Sequence, residues 1–203
     1  MGVAQSVIAP KLVDRVKAIL MKPKIEWPVI DAEQTDISTI FRSYAIPLAA
    51  IGPVATAIGS ALIGTSTLAG AARVPIVTAI VSAIIAFALS LLGTYVVAQV
   101  IDNLALRYGG TRNLTQAFKV SAYSSTAQWL AGVFALIPAL SPLSILGLYS
   151  LYLLYLGLPV LMKVPQEKAM SYTVAVVVVA LIVLIVIATI TGIIIGTAAI
   201  ATL

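Results

Sequence analysis

The longest uncharged stretch of the chain, residues 120–162, constrains the fold more than any other feature. It runs for 43 residues between Lys119 and Lys163 without one charged side chain. A membrane-spanning helix needs about 20 apolar residues to cross the hydrocarbon layer, so this stretch is too long for one crossing and suits two. Pro138 and Pro142 lie at its centre, and proline disfavours helix at its own position and at the residue before it. The stretch predicts a transmembrane helical hairpin.

Three more uncharged runs, residues 43–72, 74–101 and 169–203, are each long enough to span a bilayer. The chain is 61% hydrophobic and 9% charged, whereas soluble domains carry about 25% charged residues. We therefore predict an all-α polytopic membrane protein with a bundle of five transmembrane helices. The predicted spans lie near 43–64, 75–101, 120–138, 143–162 and 172–198.

The first 36 residues are predicted to form a separate cytoplasmic segment, and residues 37–203 the membrane domain. Apolar residues between Leu12 and Leu20 recur at helical spacing, which predicts a short amphipathic helix. Such a basic helix would lie flat on an anionic leaflet, and the alternative is a solvated terminal helix. The candidate contacts with the membrane surface are Lys11, Arg15, Lys17 and Trp27.

Four acidic residues follow this helix: Glu26, Asp31, Glu33 and Asp36. Carboxylates in a loop can coordinate a divalent cation, but their spacing here fits no known loop register. The prediction is a solvated acidic linker that binds no metal.

The distribution of basic residues predicts the orientation. With five spans and a cytoplasmic N-terminus, eleven of the twelve Lys and Arg residues lie inside and only Arg73 lies outside. We expect a multi-pass protein of the cell inner membrane whose C-terminus is outside. Charges interrupt any apolar signal segment near the N-terminus, so no cleaved signal peptide is expected.

Composition also excludes several kinds of chemistry. The chain has no cysteine and no histidine, which excludes disulfides, thiol nucleophiles and Cys/His metal sites. Neither a phosphate-binding P-loop nor a dinucleotide fingerprint occurs. We therefore predict no enzymatic activity and no cofactor. A nucleic-acid partner is also not expected, because the basic residues border the apolar runs, as residues that set membrane topology do.

A channel or transporter for a small solute remains the alternative function. Polar residues near the cytoplasmic ends of spans two and three are candidates for a shared cluster, although they also suit helix ends and headgroups. The set is Gln99, Asp102, Asn103, Tyr123 and Gln128. Between them, Asn113 followed by Gln116 predicts a capped helix start.

Small residues repeat along several spans at intervals of four, which allows helices to pack closely in lipid. Most of these stripes are expected to pack within the bundle. Ala188, Gly192 and Gly196 on span five are the candidate interface with a second copy of the chain or another membrane protein.

Four stretches resemble the YIP domain family, which is named for Ypt/Rab-interacting proteins. They are LMKPKIEWP at 20–28, PLAAIG at 47–52, ALRYGG at 105–110 and LYLLYLGLPVLMKVP at 151–165. The resemblance covers nearly the whole chain and is closer to bacterial members. It implies a five-span helical membrane domain with a cytoplasmic N-terminus.

The resemblance implies a role in membrane organisation or trafficking and no enzymatic reaction. Eukaryotic relatives act in vesicle transport and bind small prenylated GTPases. This chain lacks their long N-terminal region and their Asp-Leu-Tyr-Gly-Pro signature, so GTPase binding does not carry over to it. The expected function is a non-enzymatic scaffold that binds lipid or membrane partners.

Overall fold

The computed structural model describes residues 11–67 and 70–200, with side chains outside 65–72, 184 and 186–200. These residues are almost all helical, and one pair of three-residue strands is present. The α-helices are α1 (Leu12–Met21), α2 (Pro23–Ala32), α3 (Ile37–Ile40), α4 (Ile46–Ala49), α5 (Ile51–Ile58), α6 (Ile76–Ala105), α7 (Leu114–Ser124), α8 (Thr126–Ala131), α9 (Tyr149–Leu161) and α10 (Ala169–Ile200).

The two N-terminal helices are separated by a single residue, Lys22. Pro23 occupies the first turn of α2, where its missing N–H costs nothing because that group has no helical partner. The acidic residues Glu26 and Asp31 are therefore helical, and the sequence-based expectation of an open acidic linker is wrong for them. Pro23 thus starts the second helix, and Pro28 lies inside it.

The first long apolar segment, Ile37–Ile63, combines α3, α4 and α5 with two π-helical turns, Phe41–Ala45 and Gly59–Ile63. Pro47 and Pro53 lie within it, and proline removes the regular hydrogen bond of an α-helix. These prolines account for the irregular helix in this segment. Strands β1 (Thr65–Thr67) and β2 (Gly70–Ala72) pair antiparallel and connect this segment to α6.

The segment predicted as span three is not one continuous helix. α7 ends at Ser124, α8 follows, and residues Gly132–Leu136 form a 3₁₀ helix. The hydroxyl of Ser125 donates to the carbonyl of Ser121, and that of Thr126 to the carbonyl of Tyr123. Such bonds to the preceding turn loosen a helix, which accounts for the break.

Four segments are long and apolar enough to cross a membrane within the described part of the chain. They are Ile37–Ile63, Ile76–Tyr108, Pro138–Leu161 and Gln166–Val183. The prediction of five spans is therefore not confirmed. The 114–136 segment is divided into helices that are each too short to cross a membrane.

Two connections between apolar helices meet the N-terminal helices at one end of the bundle, which we call the charged end. It comprises α1, α2, residues 106–113 and residues 162–168. The amide of Thr111 donates to the carbonyl of Met162 over 2.9 Å, and Lys163 forms an ion pair with Asp31. The predicted helix start near Asn113 is confirmed, since its side chain accepts from the amide of Gln116 over 3.1 Å.

One hydrophobic core joins the N-terminal helices to the apolar helices. Ile19, Trp27 and Ile30 are fully buried in the same cluster as Phe118 and Leu158. Elsewhere in the bundle, α5 crosses residues 132–136 where Gly52 contacts Gly132. A Cβ added at Gly132 would lie 2.6 Å from the Cα of Gly52, so this close crossing requires glycine.

Candidate functional site at the charged end

A buried ionic cluster fastens the N-terminal helices to one another. Arg15 on α1 is 3% exposed, and its guanidinium pairs with the carboxylates of Glu26 and Glu33. The guanidinium carbon also lies 5.6 Å from the ring centroid of Tyr123, within cation–π range. The arginine therefore joins α1, α2 and α7 in one contact.

Lys119 on α7 completes this cluster from the side of the apolar helices. Its side chain is buried, and its Nζ donates to the carbonyl of Ile30 over 3.0 Å and to the carbonyl of Glu33. These carbonyls lie at the C-terminal end of α2, where a cation is favoured by the helix dipole. We use the name buried ionic cluster for Arg15, Glu26, Glu33 and Lys119.

Burial lowers the pKa of Lys119 from its ordinary value of 10.5, although Glu33 and Asp31 act in the opposite direction. An undocked Lys119 would hold its proton more tightly than the docked residue. Because the undocked state binds more protons in this range, we expect docking of α2 to become more stable as the pH rises toward 10.5.

The measurement uses Trp27 as the reporter in a Trp129→Phe background, since the chain has two tryptophans. Denaturant titrations in detergent from pH 8 to 10 should give a rising stability of α2. The Lys119→Gln variant should lose that rise. An identical pH profile in both proteins would contradict the assignment to Lys119.

A tight contact between Trp27 and Gly157 holds α2 against α9. Trp27 is fully buried, and a Cβ added at Gly157 would lie 2.7 to 2.9 Å from three atoms of its indole ring. A hydrogen bond joins α9 to α1 as well, because the hydroxyl of Tyr149 donates to the carbonyl of Leu20 over 3.0 Å. Only glycine at position 157 admits the indole.

The outer face of α1 and α2 combines basic and apolar side chains. Four lysines are exposed there without an ion-pair partner among the described residues: Lys11, Lys17, Lys22 and Lys24. Met21 is 79% exposed and Ile25 66% exposed beside them. We call this surface the basic face.

The candidate membrane contacts separate into two groups. Lys11 and Lys17 belong to the basic face, so their contact with lipid remains a prediction. Arg15 and Trp27 are buried, so a direct contact of these two with the membrane surface is wrong for this structure. The reason lies in contacts that the local sequence does not show: Arg15 pairs with Glu26 and Glu33, and the indole ring of Trp27 packs against Gly157.

The predicted polar set does not form one cluster in the structure. Asp102 accepts two hydrogen bonds from Arg112, at 2.8 and 2.9 Å. Gln99 donates to the hydroxyl of Tyr95, and Asn103 donates to the carbonyl of Gln99. Asp102, Gln99 and Asn103 therefore each bond to a partner within ten residues and not to one another's side chains, and Oδ1 of Asp102 has no partner among the described residues.

The other two members of the set lie elsewhere. Tyr123 packs edge-on against Tyr44 with ring centroids 4.6 Å apart, next to the buried ionic cluster. Gln128 lines cavities between the apolar helices. A shared role for all five residues has no support in their contacts.

The remaining sequence-based sites are less informative. Ala188, Gly192 and Gly196 lie where the structure describes no side chains, so the interface on α10 stays a prediction. In the described part of the chain, no three acidic residues are grouped to hold a metal ion.

Sequence reasoning missed Glu26 and Glu33 as partners of Arg15, and it missed the contact of Lys119 with the carbonyls of Ile30 and Glu33. One signal was present, because Arg15 falls at i+3 from Leu12 and four residues before Ile19, on the apolar face of α1. A charge on the buried face of a helix implies a buried counter-charge.

A comparison with known protein families identifies the family of this chain. A family model of the Yip1 domain matches residues 17–201. The chain belongs to the Yip1 domain family. The matched part of this Yip1 protein starts within α1 and includes all of α2, so most of the buried ionic cluster lies within the family domain. No curated protein and no solved structure shows significant similarity to the chain.

Membership of the Yip1 domain family agrees with the presence of long apolar helices in the structure. The protein is a Yip1-family membrane protein with several helices capable of spanning a bilayer. The family is not a known enzyme family.

Proposed function

We propose that this protein is a non-enzymatic integral membrane scaffold whose N-terminal helices bind partners at the membrane surface. One observation carries the proposal: the basic face is exposed while the opposite side of α1 and α2 is fixed by buried ion pairs. Rigid presentation lowers the entropy cost of binding. Unpaired lysines beside exposed apolar residues suit an anionic lipid surface or an acidic partner.

The proposed setting is the inner membrane, with the charged end in the cytoplasm and five crossings of the chain. Eleven of twelve basic residues lie on one side in this topology, as the positive-inside rule requires. The C-terminus is then outside. The segment predicted as span three, residues 120–138, is the additional crossing, and it runs out from the charged end before the next span returns to it.

Charge reversal on the basic face tests the scaffold. The Lys17→Glu/Lys24→Glu variant is expected to lose at least ten-fold in protein and anionic lipid that co-purify from native membranes, measured by quantitative mass spectrometry. The matched control, Arg107→Glu/Lys168→Glu, makes the same charge change at exposed positions of the charged end outside α1 and α2. Equal recovery from both variants would contradict binding by the basic face.

A small-solute transporter is the second candidate because of a cavity between Ile37–Ile63 and α6. The cavity measures about 490 Å³ and is lined by small residues with hydroxyls from Thr56, Ser60, Ser82 and Ser90. Flux of small neutral solutes into liposomes tests this function. Flux that the cavity-filling variant Ala83→Leu abolishes would favour transport, and leakage equal to empty liposomes would exclude it for the solutes tested.

A further inference from the structure

A second cavity lies among α6, α7, α8, α9 and α10, away from the basic face. Its volume is about 150 Å³. The polar residues in its lining are Ser121, Ser124, Ser125, Gln128 and Ser150. Two serines of α7, the serine between α7 and α8, and one serine of α9 therefore border one small space in the apolar part of the protein.

Two of these hydroxyls are satisfied within the protein. Ser121 donates to the carbonyl of Thr94 over 2.7 Å, and Ser125 donates to the carbonyl of Ser121 over 2.8 Å. Their protons are therefore not available to a ligand in the cavity.

The other two hydroxyls retain unused capacity. Ser124 is 4% exposed, and its Oγ has no hydrogen-bond partner among the described residues. Ser150 Oγ accepts from the amide of Gln128 over 3.0 Å, and its own proton has no acceptor in the described part of the chain. Buried polar groups in native proteins are nearly always paired, so two free hydroxyls at one cavity indicate a missing hydrogen-bonding group.

The lining restricts the chemistry of that group. Among the described residues, no charged side chain lines the cavity, and burying an unpaired charge is strongly unfavourable. The group is therefore neutral. At about 30 Å³ for a water-sized group, the cavity holds roughly five such groups, which suits a glycerol moiety and excludes a whole lipid.

The opening of the cavity indicates where the rest of the ligand lies. Leu151 on α9 and Leu181 on α10 line it and are 45% and 53% exposed. In a membrane protein, apolar side chains exposed on the outside of the bundle contact acyl chains. A ligand whose polar end occupies the serines would extend its apolar part between these two leucines.

We propose that this cavity binds a neutral lipid of the acylglycerol class. The glycerol hydroxyls pair with Ser124 and Ser150, and the acyl chain leaves between α9 and α10. This site is independent of the basic face, so either proposal can fail while the other stands.

The test uses the full chain in phosphatidylcholine nanodiscs with a monoacylglycerol that carries a photoreactive diazirine in its chain. Irradiation followed by peptide mass spectrometry should place the label near Leu151 and Leu181. Unlabelled 1-oleoylglycerol should compete for this labelling, while free glycerol and added phosphatidylcholine should not.

Variants separate specific binding from general lipid contact. Ser124→Ala and Ser150→Ala should each reduce the competed labelling at least five-fold. Ala180→Leu, which fills the cavity from α10, decides the question if a serine variant fails to fold. The control Ser171→Ala removes an exposed hydroxyl that bonds to the carbonyl of Lys168, and it should label as the wild type does.

Two results would overturn the proposal. Labelling that no competitor reduces, and that is equal in all variants, would mean ordinary bilayer contact with a cavity filled by water alone. Competition by free glycerol to the same extent would assign the site to a free polyol instead of a lipid.

Discussion

Replacing Arg15 with methionine is expected to undock the N-terminal helices. The change leaves the carboxylates of Glu26 and Glu33 without their partner, and their side chains are only 14% and 7% exposed. Removing one member of a buried ion pair typically costs about 3–5 kcal/mol, because the remaining charge stays buried. Hydrogen exchange in detergent should show loss of protection across α1 and α2, while α6 stays protected.

A rescue variant distinguishes the ion pairs from simple loss of packing. The double change Arg15→Met/Glu26→Gln restores the charge balance of the cluster, because Glu33 still faces Lys119, and it should recover most of the protection. Lys17→Met, an exposed change on the same helix, should alter stability by less than about 0.5 kcal/mol. Full protection in the Arg15→Met single variant would refute the role of the buried ionic cluster.

The change of Gly157 to alanine is expected to destabilise the protein and displace Trp27. A new Cβ would lie 2.7 to 2.9 Å from the indole, and overpacking a tight core costs about 1–3 kcal/mol. Alanine is otherwise the better helix former by about 0.8–1 kcal/mol, so propensity alone predicts the opposite sign. The sign of the effect therefore decides between packing and propensity.

Trp27 fluorescence in the Trp129→Phe background measures this displacement as a shift to longer wavelength. Gly52→Ala is the matched control, because a Cβ at Gly52 would be 3.6 Å from Gly132, an ordinary contact distance. Stabilisation of the Gly157→Ala protein with an unchanged Trp27 spectrum would show that the indole does not need this glycine.

Local patterns predicted the apolar helices of this fold well. The uncharged run that starts after Arg42 contains most of Ile37–Ile63, and most of the run ending at Ile101 lies within Ile76–Tyr108. The cap at Asn113 was also predictable, because it depends on residues three positions apart. Each of these signals is contained in a short window of sequence.

The candidate site could not be predicted in the same way. Arg15 and Glu33 are 18 residues apart, and Lys119 reaches Ile30 across 89 residues. Trp27 was assigned to the membrane interface because an indole favours that zone, but the gap at Gly157 accepts it into the core. The continuity of the third span was overestimated because the hydroxyls of Ser125 and Thr126 compete for backbone carbonyls.

The attachments of α1 and α2 also set an order of events during synthesis. These helices leave the ribosome before the apolar helices do, yet they are held by residues that are translated much later: Lys119, Tyr149, Gly157 and Lys163. Until those residues are synthesised, the side chains of Ile19 and Trp27 have no folded partner that could bury them. The nascent N-terminus must therefore stay free of aggregation while the rest of the chain is inserted. Its docking can be completed only after the connection at residues 162–168 has been synthesised.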